Sequence, residues 1–211
     1  MAANNQGSAQ DYAAVVALAK ARIDHGFSRA GRHFKPEDAR ARAAALLSGR
    51  VIALSNALVL LAQHDLANEA LPILRSLMEA AARLARLAEK DGARHAEAFW
   101  KKAPDISWEN LYAAGAAERA LRGEAFAEAF RAAEKAGRRH FLANWGAIPW
   151  SHAFGPAPEE AAAPDELLRL TALAMAGALE SLDLMWPERF DGAAEIFARA
   201  AAPVQDAKDE G

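Results

Sequence analysis

Cysteine is absent from all 211 residues. Disulfides, thiolate nucleophiles and cysteine-held zinc or iron–sulfur centres are excluded with it. Tyrosine occurs only twice, and valine and isoleucine are scarce, so little in the chain favours strands. Excess positive charge is missing as well. Against 25 Lys and Arg stand 28 Asp and Glu, a formal net charge of −3. No field over the whole protein draws in a phosphate backbone, which leaves a local basic patch as the only electrostatic route to nucleic acid. The apolar runs Val51–Ala62 and Leu170–Leu179 fall short of the roughly 20 residues that span a bilayer, and are expected to be core helices rather than membrane segments. The opening stretch, MAANNQGSAQDYAA, is polar and has no basic region followed by an apolar one. No signal peptide is therefore read there, and the cytoplasm is the expected location. HExxH, a repeated ExxH pair and the glycine-rich phosphate cradles GxGxxG and GKS/T are all missing, so no metal and no cofactor is expected.

What is present is alanine, at 57 of the 211 positions. It has the best helix propensity because it surrenders no side-chain entropy. Hydrophobic residues at 53% and charged ones at 25% place the chain among globular proteins. Periodicity predicts a helix over Asp11–His25, with Val15, Leu18, Ala19 and Ile23 inward. A loop punctuated by Gly26 and Gly31 follows, carrying Arg29, Arg32 and His33. Pro36-Glu37-Asp38 suits a helical first turn. The helix it opens runs to about His64, with a weak point at Ser48-Gly49 and a second half so apolar that it is expected in the middle of the bundle. Ala67–Lys90 reads as amphipathic, with Leu71, Leu74, Leu77, Met78, Ala81, Leu84, Ala85 and Ala88 on one side. Further helices are expected over 93–102, 113–136 (after a Ser107 cap, ending at Gly137), 165–185 and from Pro187 to Arg199. Residues 138–163, rich in proline and glycine, read as an irregular loop or lid. The fold expected is all-α, a single antiparallel bundle of six to eight helices over 11–202, with flexible tails at 1–10 and 203–211.

Candidate functional residues fall into two groups. Arg75 and Glu79 stand four apart on one helix and can pair across a turn, and Arg83 extends the line. Asn56 and Gln63, seven apart, share a stripe of an otherwise apolar helix; if buried they would need a hydrogen-bond network, and a polar pocket lining or a self-association face is the functional alternative. The second group lies in the irregular stretch. Arg138, Arg139 and His140 form a small basic patch, and Trp145, Trp150 and His152 follow with Phe141 and Phe154. Such aromatics can stack on a base or a flat ligand, or anchor the loop to the bundle. Ser151-His152 lacks the orienting third group of a nucleophilic site.

The stretch NALVLLAQHDLANEALPILRSLMEAAARLARL, residues 56–87, resembles a set of uncharacterised bacterial helical-bundle proteins that carry an Arg-Ser/Pro-Leu-hydrophobic-Glu helix, here Arg75-Ser76-Leu77-Met78-Glu79. Phe141, Ser151, His152 and Gly155 fit a later segment of that set loosely. In architecture the set is similar to the higher-eukaryote and prokaryote nucleotide-binding (HEPN-like) helical fold, whose members include stress- and phage-defence ribonucleases. The resemblance implies a helical bundle and singles out Arg75 and Glu79. The Arg-then-His helix motif of that fold's active ribonucleases has no good copy here: Arg22 to His25 is too close, Arg29 to His33 spans a glycine-flanked loop, and Arg138 to His140 is too tight. The function expected is therefore a non-catalytic association or regulatory module, homodimeric through a helical face. RNA binding or cleavage, or a small-molecule pocket closed by residues 138–155, are the alternatives.

Overall fold

The computed structural model describes residues 6–31, 34, 35, 37–101 and 163–201. These residues hold six helices and no strand: α1 (Gln6–Ala30), α2 (Ala39–Gln63), α3 (Ala67–Ala88), α4 (Gly92–Trp100), α5 (Pro164–Met185) and α6 (Ala193–Ala201). The all-α bundle is as expected.

Local chemistry accounts for most helix ends. Asp38 is the N-cap of α2, its Oδ1 accepting from the amides of Arg40 at 2.8 Å and Ala41 at 3.2 Å, which satisfies two donors that have no partner within the helix. At the other end Asp65 turns to φ 56°, and the Leu66 amide reaches back to the Leu61 carbonyl at 2.9 Å. Aspartate tolerates that left-handed conformation better than most residues. The turn of three residues that results makes α2 and α3 antiparallel neighbours. Pro164 occupies the start of α5, with Asp165 and Glu166 in its first turn, where a missing amide is harmless and carboxylates meet the positive end of the helix dipole.

One contiguous core joins all six helices. Its centre is α5 and not α2, contrary to the sequence reading. From Leu167 to Leu179 every residue except the half-buried Arg169 is buried, and the helix packs against α1, α2, α3 and α6. Thr171 and Ser181, fully enclosed, donate their hydroxyls to the Leu167 and Gly177 carbonyls at 2.8 and 2.7 Å. Two burials of polar groups are thereby satisfied within the helix itself. The α2 helix, equally apolar in sequence, buries one side through Ala43, Ala44, Leu47, Val51 and Leu58 and turns Leu46 and Leu60 outward, 54% and 56% exposed. It is unbroken at Ser48-Gly49 and 25 residues long, so by length and composition it could cross a membrane, a test that core helices also pass. The helix has the extent expected from its first turn to about His64; only the run Val51–Ala62 taken by itself is too short to span a bilayer.

Two other boundaries move. The first helix starts at Gln6 and continues through Gly26 to Ala30, placing Arg29 on a helix rather than in a loop. The last begins at Ala193, after a turn in which Glu188 and Gly192 take φ of 66° and 93°. That turn drives Phe190 into the core against Gly26. Around it Phe27 packs edge-on to Phe190 at 5.1 Å, and Phe34 stacks on Trp186 at 4.8 Å. This aromatic cluster was not evident from the sequence, because its members come from opposite ends of the chain.

Candidate functional site

Alanine-rich helices pack closely except where a small residue leaves space beside a larger neighbour. Such a gap opens between α2 and α3, where a cleft of about 650 Å³ is lined by Leu46, Gly49, Arg50 and Ala53 on one wall. Ser76, Glu79, Ala80 and Arg83 form the other wall, and Phe99 of α4 closes one side. The spacing of 76, 79, 80 and 83 puts them on one stripe of α3. Most of the walls are apolar; the polar groups are two guanidinium groups, one carboxylate and one hydroxyl.

Glu79 thus lines a concave surface, and it pairs with Arg83, the two side chains 2.5 Å apart and about one-third exposed. Arg75 is half-buried on the same helix and does not line the cleft. Ser76 points its hydroxyl back to the Pro72 carbonyl at 3.1 Å. A hydroxyl bonded to the carbonyl one turn back is the usual way a serine inside a helix satisfies its donor.

Asn56 and Gln63 are exposed, and the internal network expected for them is not needed. The stripe they share is the outward face of α2, where water serves both amides. Arg138, Arg139, His140, Trp145, Trp150 and His152 lie outside the described residues.

A second polar cluster ties α1 to α6. Arg29 donates to Asp191 at 2.9 Å, Arg22 reaches Asp191 at 3.4 Å and Glu195 at 3.3 Å, and Arg199 joins Glu195 at 2.7 Å. The hydrogen bond from Arg29, followed by the charges of Arg29 and Arg22, holds the Asp191 carboxyl below the usual carboxylate range. A folded-state value that is depressed stabilises the fold above the ordinary carboxylate value, and this contribution disappears as pH falls through the depressed one. Because Asp191 is half exposed, solvent screening keeps the effect small, roughly 0.2–1 kcal/mol. Asp191→Asn should lower the thermal midpoint by about 1–3 °C at pH 7, and the two proteins should converge as the pH falls through the depressed carboxyl value. Melts that differ equally at both pH values would remove the ionised carboxylate as the cause.

One further grouping, Glu89, Asp91 and His95 at the junction of α3 and α4, gathers three metal-ligating side chains. A search for HExxH or a repeated ExxH pair passes over it because its spacing is Glu-x-Asp-x-x-x-His. Compared with protein-family models, with curated proteins and with solved structures, the chain matches none of them.

Proposed function

We propose that this protein is a helical association module that pairs with a second copy through the outward face of α2. The observation that carries the reading is the pair of outward leucines, Leu46 and Leu60, both more than half exposed. Ala53 lies midway at the same seven-residue spacing, with Gly49 and Ala57 beside it. Repeats of seven keep one seam of a helix facing a partner helix, and small residues between the leucines allow the backbones to approach. The adjoining cleft, whose wall includes Leu46, offers a hole for a partner's side chain.

Magnitudes set the affinity class. Covering two half-exposed leucines on each of two copies contributes roughly 3–6 kcal/mol. Association itself costs at least about 4 kcal/mol in lost freedom of motion. The rest of the stripe must therefore contribute, and a micromolar dimer is the expected result. Sedimentation or light scattering at about 100 µM, well above a micromolar Kd, should give a dimer mass. The double variant Leu46→Glu with Leu60→Glu should give a monomer of unchanged helicity. A wild-type monomer at that concentration would overturn the proposal.

A small-molecule reading has one observation in its favour: Arg50 and Ser76, beside the Arg83–Glu79 pair, line a mostly apolar cleft, and a few polar groups in an apolar pocket are how such sites hold and orient a ligand. It predicts retained ligand binding in the single variant Leu60→Glu, because Leu60 lies on the outward face and does not line the cleft. RNA-directed activity, drawn from the HEPN-like resemblance and the basic-aromatic cluster, would use Arg75, Glu79, His140 and His152 around residues 138–155 and is a separate proposal. Incubation with mixed RNA that yields neither cleavage nor a salt-sensitive complex counts against it.

A further inference from the structure

We propose that the elbow between α3 and α4 is a divalent-cation site formed by Glu89, Asp91 and His95. Each offers one ligand atom, and the three atoms lie within 4.8 Å of one another. Within this cluster Glu89 Oε1 and His95 Nε2 are shut off from solvent and make no hydrogen bond. Buried polar atoms are nearly always satisfied, and two orphans on residues of one such cluster call for a partner.

The position of Asp91 is a separate indication. It is the N-cap residue of α4, where aspartate ordinarily accepts from the amides of the first turn, yet its side chain makes no capping bond. Its Oδ2 instead stands 3.0 Å from His95 Nε2. The contact does not satisfy the geometry of a hydrogen bond, since His95 Nε2 remains without one. Atoms that bind one zinc ion at about 2.0–2.2 Å are themselves about 3.0–3.5 Å apart, so this contact has the length of a coordination edge. Glu89 must swing inward by about an ångström to complete the set, a motion open to a side chain with three torsions.

Charge sets the competing arrangement. Arg86 Nη1 holds the other Glu89 oxygen at 2.6 Å, and Arg86 Nε is itself buried without a partner. If Glu89 rotated toward Arg86, the two would form a two-point pair and satisfy both groups without an ion. With an ion bound, the same arginine orients the carboxylate from behind, as outer partners of metal ligands do. An imidazole with two carboxylates suits Zn²⁺ better than Mg²⁺, which prefers oxygen alone. Asp91, just over half exposed, leaves the site open to solvent for entry. The site would revise the sequence-based expectation of no metal.

The test is calorimetric titration of the full chain, stripped with chelator, with zinc chloride and separately with magnesium chloride. One zinc per chain is expected at micromolar affinity or tighter, with magnesium at least about tenfold weaker. His95→Ala and Glu89→Gln should each weaken zinc binding at least about tenfold, whereas His64→Ala, an exposed histidine at the end of α2, should not. Circular dichroism of each variant establishes that it is folded. Should His95→Ala fail to fold, the wild-type imidazole is read directly by NMR, where zinc must shift the His95 Nε2 resonance. The proposal is overturned by no zinc uptake, by unchanged affinity in both ligand variants, by magnesium binding as tightly as zinc, or by a His95 resonance that zinc leaves in place.

Discussion

Replacing Gly26 by alanine should destabilise the protein although it improves the helix. In an exposed helix interior the change gains about 1 kcal/mol. Here a methyl group would enter the ring of Phe190, whose Cγ lies 2.8 Å from the ideal Cβ position. The ring has little room to withdraw, being fully buried and packed edge-on against Phe27 at 5.1 Å with Trp186 at 6.1 Å. Overfilling a packed core costs about 1–3 kcal/mol. Ring atoms this close put the cost in the upper part of that range, about 2–3 kcal/mol, so the net loss expected is about 1–2 kcal/mol, a fall in the thermal midpoint of roughly 2–8 °C for a chain of this size. Phe190→Ala, which removes the ring altogether, should cost about 3–5 kcal/mol. The informative result is the double variant. In the space vacated by the ring the alanine methyl has room, so Gly26→Ala should become neutral or stabilising in the Phe190→Ala background. A change of sign between the two backgrounds is coupling that only direct contact produces. Strict additivity would mean that Gly26 and Phe190 do not touch.

Gly92→Ala should be more damaging still, because its clash is with backbone. The added Cβ would fall on the carbonyl group of Leu87, whose carbon lies 2.7 Å away. The same carbonyl accepts from Arg40 Nε at 2.6 Å and so ties the end of α3 to the start of α2. Neither atom can rotate aside as a side chain would. The elbow must open, and a loss of about 3 kcal/mol or more is expected, 6–12 °C in the thermal midpoint. Arg40→Ala removes only the hydrogen bond and should cost less, about 1.5–3 kcal/mol. A melt for Gly92→Ala within a degree of wild type would place the α3–α4 turn elsewhere. The two variants also separate fold from site: opening the elbow moves Asp91 and His95 away from Glu89, so Gly92→Ala should lower zinc affinity where Arg40→Ala does not.

The amphipathic helix α3 was legible at the level of single residues. Leu71, Leu74, Leu77, Met78, Ala81, Leu84 and Ala85 are buried as their spacing requires, and Ala88 is half-buried at the helix end. Spacing offered Glu79 a partner on its own helix without fixing which one, and the structure pairs it with Arg83. Both Arg75 and Arg83 stand four residues from it, and i,i+4 spacing does not choose between them. A helix apolar on all sides has no preferred direction of burial, so the spacing of Asn56 and Gln63 left a buried network, a polar pocket lining and a self-association face all open; both residues are exposed. The glycines did mislead. Gly26 and Gly49 weaken a helix by about 1 kcal/mol, too little to end one that a packed core holds together.

What the sequence determined alone is the helical class, through its alanine content, its few β-branched residues and the 3.6-residue spacing of its apolar side chains. These are properties of each segment by itself, set by backbone entropy and local periodicity. Which helix lies at the centre, which glycine faces a ring, which arginine takes Glu79 and which leucines remain in water were decided by the tertiary structure. Each of these depends on contacts between residues far apart in the chain, such as Gly26 with Phe190 and Arg40 with the Leu87 carbonyl, and local spacing carries no information about them.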